Sequence, residues 1–139
     1  MYVDTSVVVK LYTNEPDSDA CEAAVDGSTL VSSQLLRCEF RSALLRKVMQ
    51  DAISAAFMEE AWTEFERDVA ARTIVLVSID NQVVDDATDL LVELHPDVPL
   101  RTLDALHLAT YLSVETGPLF TKDLRMLEAA AKLGLPLAG

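Results

Sequence analysis

The sequence predicts an α/β fold, a three-layer α/β/α sandwich around a central parallel sheet of four or five strands, and three observations carry that expectation. Short apolar runs alternate along the chain with longer stretches of helical period, the order expected when helices cover both faces of a sheet. Those apolar runs do not themselves alternate with polar residues, as befits strands buried on both faces. A length of 139 residues, half of them hydrophobic, with no linker, low-complexity tract or repeat, suits one continuous core and a single domain over residues 1–139.

Tyr2-Val3 is the first strand candidate. Residues 6–12 are ambiguous, because Val7-Val8-Val9 carries strand propensity whereas Asp4-Thr5-Ser6 looks like a strand end followed by a helix cap. A helix over Ser18 to Val25 and a strand at Leu30-Val31 follow. Ser32 and Ser33 can cap a helix starting near Gln34, in which Leu36, Phe40, Ala43 and Leu44 recur at three- and four-residue steps. Ile53 to Val69 repeats Phe57, Ala61 and Phe65 at helical spacing and pairs with that helix as a hairpin. Ile74-Val75-Leu76-Val77 is the third strand. Asp80 then caps a helix through Val83, Val84, Ala87, Leu90, Leu91 and Leu94 that stops before His95-Pro96. A helix from Leu103 to Val114 capped by Thr102, a strand at Leu119-Phe120, a helix from Leu124 to Leu133 and a short strand at Leu135–Leu137 complete the chain.

Four acids stand out from this pattern. Asp4 follows the first strand directly and Asp123 follows Leu119-Phe120 closely, so both fall at carboxyl ends of strands, where open α/β sheets bind ligands. Either one alone is equally well a helix cap. Glu39 shares a helix face with Leu35, Leu36 and Ala43, and an acid on an apolar face needs a cation, a hydrogen-bond network or a proton. A salt bridge to Arg101 or Lys122 would serve as a purely structural answer. Asp104 lies in the first turn of its helix, where an acid suits the helix dipole. A carboxylate cluster holding a hard divalent ion supplies both the activated water and the charge stabilisation that phosphodiester hydrolysis requires. His95 and His107 are too scattered for a zinc site, and His107, between Leu106 and Leu108, reads as structural.

Charge argues the other way. With 23 acidic and 11 basic residues the net charge is −12, which repels a polyanion. However, Lys10, Arg37, Arg41, Arg46, Lys47, Arg101, Lys122 and Arg125 all lie within eight positions of one of the four acids. Arg37 and Arg41, two residues either side of Glu39, belong on nearly the opposite helix face and read as solvated positions. Cys21 and Cys38 follow no metal-ligand spacing, no signal segment opens the chain, and no apolar run approaches the ~18 residues of a membrane span. These features lead us to expect a cytoplasmic protein with no membrane association.

Asp4-Thr5-Ser6-Val7-Val8-Val9-Lys10-Leu11-Tyr12 resembles the opening motif of PIN domains, particularly of VapC-type toxins from bacterial toxin–antitoxin modules. Glu39-Phe40-Arg41-Ser42-Ala43-Leu44, Arg101-Thr102-Leu103-Asp104-Ala105-Leu106-His107-Leu108-Ala109 and Leu119-Phe120-Thr121-Lys122-Asp123 resemble the next three motifs, in the family's order and spacing. The resemblance settles residues 6–12 as helix. It implies a metal-dependent endoribonuclease in which Asp4, Asp104, Asp123 and Glu39 converge on Mg²⁺ or Mn²⁺. Asp4 and Asp104 would be the leading ligands, Asp123 would assist, and Glu39 would orient water or share a second ion. It further implies a homodimer, an RNA substrate and a cognate VapB-like antitoxin. Thr5, Ser6, Thr121 and Arg101 become candidates for substrate contact. Two other readings compete. An aspartyl phosphotransferase would phosphorylate Asp4, but no second acid stands two positions away, at Tyr2 or Ser6. A silent PIN-like binding module typically lacks one of the acids, and all four are present here.

Overall fold

The computed structural model describes residues 1–114 and 116–139. Its elements run β1 (Tyr2–Val3), α1 (Thr5–Tyr12), α2 (Ser18–Val25), β2 (Leu30–Ser33), α3 (Leu35–Met49), α4 (Ala55–Ala70), β3 (Ile74–Val77), α5 (Asn81–Leu94), α6 (Thr102–Ser113), β4 (Leu119–Phe120) and α7 (Leu124–Leu133). The four strands form one sheet in the order β3-β2-β1-β4, and every pairing is parallel. Three layers result because each strand sends successive side chains to opposite faces. Tyr2 and Leu119 enter the core under α5, α6 and α7, whereas Val3, Leu30 and Phe120 enter the core under α1, α3 and α4.

The strand order carries the functional consequence. From β1 the chain builds outwards through β2 to β3, then returns to place β4 on the other side of β1, so the direction of winding reverses between β1 and β4. At such a reversal the loops leaving adjacent strands part in opposite directions and leave a crevice at the strands' carboxyl ends. Asp4 and the segment Thr121–Asp123 follow those two strands directly.

Residues 6–12 are helical: Asp4 adopts an extended backbone and caps α1, accepting from the Val7 amide at 3.4 Å, while Val7 and Val8 are buried against the sheet. Capping and burial thus outweigh the strand propensity of three successive valines.

Three expectations need correction. Ser32 and Ser33 both belong to the end of β2, because the ladder with β3 continues through Ser33 and Val77 and then through the Gln34 amide to the Val77 carbonyl at 2.8 Å. Ser33 also meets the start of α3, its Oγ accepting the Leu35 amide at 3.3 Å, whereas Ser32 does not. The Ser32 hydroxyl donates to the Val3 carbonyl at 2.7 Å, and α3 begins only at Leu35. Thr102 is the first helical residue of α6 rather than its cap; Arg101 holds that position, and its amide donates to Asp104 Oδ2 at 3.1 Å. The short strand at Leu135–Leu137 shrinks to one bridge between Leu119 and Leu137, since Pro136 has no amide to extend a ladder.

Candidate functional site

A cavity of about 450 Å³ opens at the β1/β4 crevice, lined by Asp4, Thr5, Ser6, Glu39, Arg46, Arg101, Thr102, Leu103, Asp104, His107, Asp123 and Met126. All four acids singled out from the sequence border it, each delivered by a different element. Asp4 arrives at the end of β1, Glu39 from the second turn of α3, Asp104 from the first turn of α6 and Asp123 from the start of α7. A larger groove of about 650 Å³ lies on the far side of α3 and has no acid in its lining; Arg46 borders both hollows.

Asp4 is the most constrained of the four. It is 5% exposed, and each of its oxygens accepts a hydroxyl: Ser6 donates to Oδ1 at 2.6 Å and Thr121 to Oδ2 at 2.7 Å. Those hydroxyls are themselves oriented, because Ser6 Oγ accepts the Lys122 amide at 2.8 Å and Thr121 Oγ1 accepts the Asp123 amide at 3.0 Å. Burial nevertheless pushes the Asp4 carboxyl above its ordinary value, and the Ser6 and Thr121 hydroxyls offset only part of this. Burial also raises Asp104; the Arg101 amide counters it and the charge of Asp123 adds to it. Asp123 uses Oδ1 to cap α7, accepting from the Arg125 and Met126 amides at 2.9 and 3.1 Å. Asp4 and Asp123 are therefore helix caps and cavity acids at once.

Glu39 was expected to find Arg101 or Lys122 if its role were structural. Its partners are instead His107, whose Nε2 lies 2.6 Å from Oε1, and Thr5, whose hydroxyl donates to the same oxygen at 3.0 Å. His107 sits one helical turn after Asp104 on α6, so both side chains share a face. That three-residue spacing was the available sign of its involvement, outweighed by the apolar neighbours Leu106 and Leu108. On its other side, His107 Nδ1 meets the Tyr2 hydroxyl at 2.9 Å.

The hydroxyl candidates divide by position. Thr5 and Ser6 line the cavity but spend their hydroxyls on Glu39 and Asp4, while Thr121 is 2% exposed and stands behind Asp4. Among the cations, Lys10 is held by Glu15 and Asp17, both at 2.7 Å, and Lys47 by Glu15 at 2.6 Å. Arg125 Nε stands 3.5 Å from Asp104 Oδ2 without forming a hydrogen bond. Arg37 and Arg41 turn away as expected, but rather than standing free in solvent they lie over the Trp62 ring on α4 at 5.9 and 5.0 Å. Arg46 and Arg101 are the cavity-lining cations that carry no ion pair among the described residues.

A cavity walled by four carboxylates, two of them held against the cost of burial, carries more negative charge than Arg46 and Arg101 in its lining offset. The donors are all oxygen, which suits a hard divalent cation. Among the described residues no three of them are drawn into a closed ligand set. That openness fits an ion bound through one or two carboxylates with waters completing its shell.

A family model described as "PIN domain" matches residues 1–132. Ribonuclease VapC46 of Mycobacterium tuberculosis is 38% identical over 141 aligned positions, covering 97% of this chain and 93% of the relative. Ribonuclease VapC35 of the same species is 30% identical over 142 positions, again with 97% and 93% coverage.

Proposed function

The chain belongs to the PIN-domain family, on its VapC-type branch, and from that premise we propose that it is an endoribonuclease that uses Mg²⁺ or Mn²⁺ and acts as the toxin of a toxin–antitoxin pair. The observation that carries this reading is the arrival of Asp4, Glu39, Asp104 and Asp123 from four separate elements at one cavity. Asp4 and Asp104 would hold the ion, with Asp123 assisting through the waters that complete its shell. When bound, it would supply charge stabilisation at the phosphoryl oxygens and a water of lowered pKa. Among the described residues both hydrogen bonds to Glu39 fall on Oε1, which leaves Oε2 to orient the attacking water and take its proton. Attack at phosphorus with departure of the ribose 3′ oxygen leaves a 5′-phosphate. Ser6 and Thr121 keep Asp4 in place, and Thr5 keeps Glu39 in place.

Arg46 and Arg101 answer the problem of net charge, since unpaired guanidiniums beside an acidic cavity can hold the phosphates that flank the cut. Replacing Arg46 by Ala is expected to weaken RNA binding similarly for all sequences and to lower the slope of log affinity against log salt by about one. Fluorescence anisotropy over a KCl series, in EDTA so that no cutting occurs, measures both. An unchanged slope would remove Arg46 from the RNA path.

The same reading includes a VapB-like antitoxin that blocks the site, a homodimer and action in the cytoplasm. Among the described residues no helix is long and apolar enough to cross a membrane. The phosphotransferase alternative requires a nucleophilic Asp4, but a carboxylate whose two oxygens each accept a hydroxyl in a buried setting has little freedom to attack.

Incubating purified, antitoxin-free protein with pooled cellular RNA in Mg²⁺, Mn²⁺ or EDTA tests the proposal. Discrete cuts with 5′-phosphate ends that vanish in EDTA are the expected result. Binding of Mn²⁺ without cleavage of any RNA would favour a binding module, and transfer of labelled phosphate to Asp4 would favour the phosphotransferase.

A further inference from the structure

We propose that Tyr2 and His107 form a hydrogen-bonded relay that sets the orientation of Glu39, with His107 acting as a positioning residue for the nuclease site. The role given to Glu39 rests on the nuclease reading above; the relay itself rests on geometry. An ionised carboxylate only accepts, so the 2.6 Å contact between His107 Nε2 and Glu39 Oε1 places a proton on Nε2. In the neutral imidazole Nδ1 is then an acceptor, and the phenol of Tyr2 at 2.9 Å is the donor it meets. Protons therefore run one way, from Tyr2 through the ring to Glu39. The Thr5 hydroxyl adds a second donor to the same oxygen at 3.0 Å.

Burial makes this chain stiff. Tyr2 is 0% and His107 3% exposed, and the Tyr2 ring meets the rings of His107 and Tyr111 edge-on at 6.1 and 5.5 Å. A flexible acid on α3 is thus tied to α6 and, through Tyr2, to the strand that also delivers Asp4. Two donors on Oε1 hold the carboxylate in one rotation about its terminal bond, with Oε2 left for an ion or its water. Outer partners of this kind fix ligand orientation at metal centres.

The chain contains only His95 and His107, which makes the ring directly observable. Long-range ¹⁵N–¹³C correlation spectra of the labelled protein at neutral pH, with His95→Gln for assignment, are expected to show His107 as the Nε2–H tautomer. A proton on Nδ1, in the neutral or the charged ring, overturns the relay. Two near-isosteric variants then separate positioning from packing. His107→Gln carries its amide close to the Nε2 position, whereas His107→Asn reaches only the Nδ1 position. Calorimetric titration is expected to show Mn²⁺ affinity falling roughly 10- to 100-fold in His107→Asn and staying within about fivefold in His107→Gln. In cleavage assays the Asn variant is expected to lose kcat with little change in KM for RNA. Equal Mn²⁺ affinity in both variants, whatever their Tm, overturns the proposal. Tyr2→Phe keeps the packed ring even if the histidine variants unfold, and an unchanged Mn²⁺ affinity there removes Tyr2 from the relay. A wild type that cuts no RNA with any divalent ion would sink the nuclease reading and leave the tautomer result standing.

Discussion

Replacing Asp4 by Asn is expected to reduce metal-dependent RNA cleavage by roughly a thousandfold, the order expected when several kcal/mol of electrostatic stabilisation are withdrawn from the reacting centre. Asparagine preserves shape and loses charge, and it also creates a local conflict. Both hydroxyls facing Asp4 already use an acceptor on a backbone amide, Ser6 on Lys122 and Thr121 on Asp123, so both point their protons at the carboxylate. An amide group would confront one of them donor to donor. Mn²⁺ affinity should therefore fall together with kcat. Asp80→Asn provides the control, because Asp80 caps α5 through the Val83 amide at 2.9 Å just as Asp4 caps α1, yet it does not border the cavity. It should lose about 1 kcal/mol of cap stability at most and cut normally. Full cleavage by Asp4→Asn, or an equal loss in Asp80→Asn, would sink the assignment.

That comparison also marks how far the sequence could be read. Asp4, Asp80 and Asp123 are all acids that cap helices after extended segments, and nothing within a few residues of each distinguishes the one outside the cavity from the two inside it. What separates them is the pairing of Tyr2 with Leu119, a contact between two-residue strands at opposite ends of the chain. Local periodicity cannot report such a contact; only the resemblance of ordered motifs anticipated it. The helices were legible because their apolar faces repeat over two or more turns, as in α5. Ser32 was misread as a cap because it belongs to a ladder set by β3, some forty residues on, and spends its hydroxyl on the Val3 carbonyl, while Ser33 ends the same ladder and still accepts the Leu35 amide. The purely structural alternative for Glu39, a salt bridge to Arg101 or Lys122, gave way for a related reason: His107, on the inward face of α6, reaches the carboxylate from within the core.

Asp104→Asn is expected to raise the Tm of the metal-free protein by about 2–4 °C at neutral pH while removing most of the stabilisation that Mn²⁺ confers. Burial lifts the folded-state pKa of Asp104 and the charge of Asp123 lifts it further, so the folded chain is penalised for keeping this carboxylate ionised. The direction with pH follows from proton linkage. Between the unfolded and the higher folded pKa the native state holds a proton that the unfolded state has released, so stability falls as pH rises through that window. Above the folded pKa the penalty is complete; below the unfolded value, near the ordinary carboxylate range of about 4, it disappears. The advantage of the variant should accordingly be present at pH 7 and absent by about pH 4. Asparagine can still accept the Arg101 amide, and the Arg125 contact it gives up is a 3.5 Å approach without a hydrogen bond, partly exposed to solvent. Neither loss should reverse the sign. In the wild type, Mn²⁺ at roughly a hundred times its Kd should add about 2.7 kcal/mol, or roughly 6–12 °C. Differential scanning fluorimetry of both proteins at pH 7 and pH 4, with EDTA and with Mn²⁺ at pH 7, measures all of these shifts. A lower Tm for Asp104→Asn in EDTA, with the Mn²⁺ shift intact, would mean that Asp104 serves the start of α6 and not a metal, because a residue that only caps a helix has no reason to destabilise the empty fold.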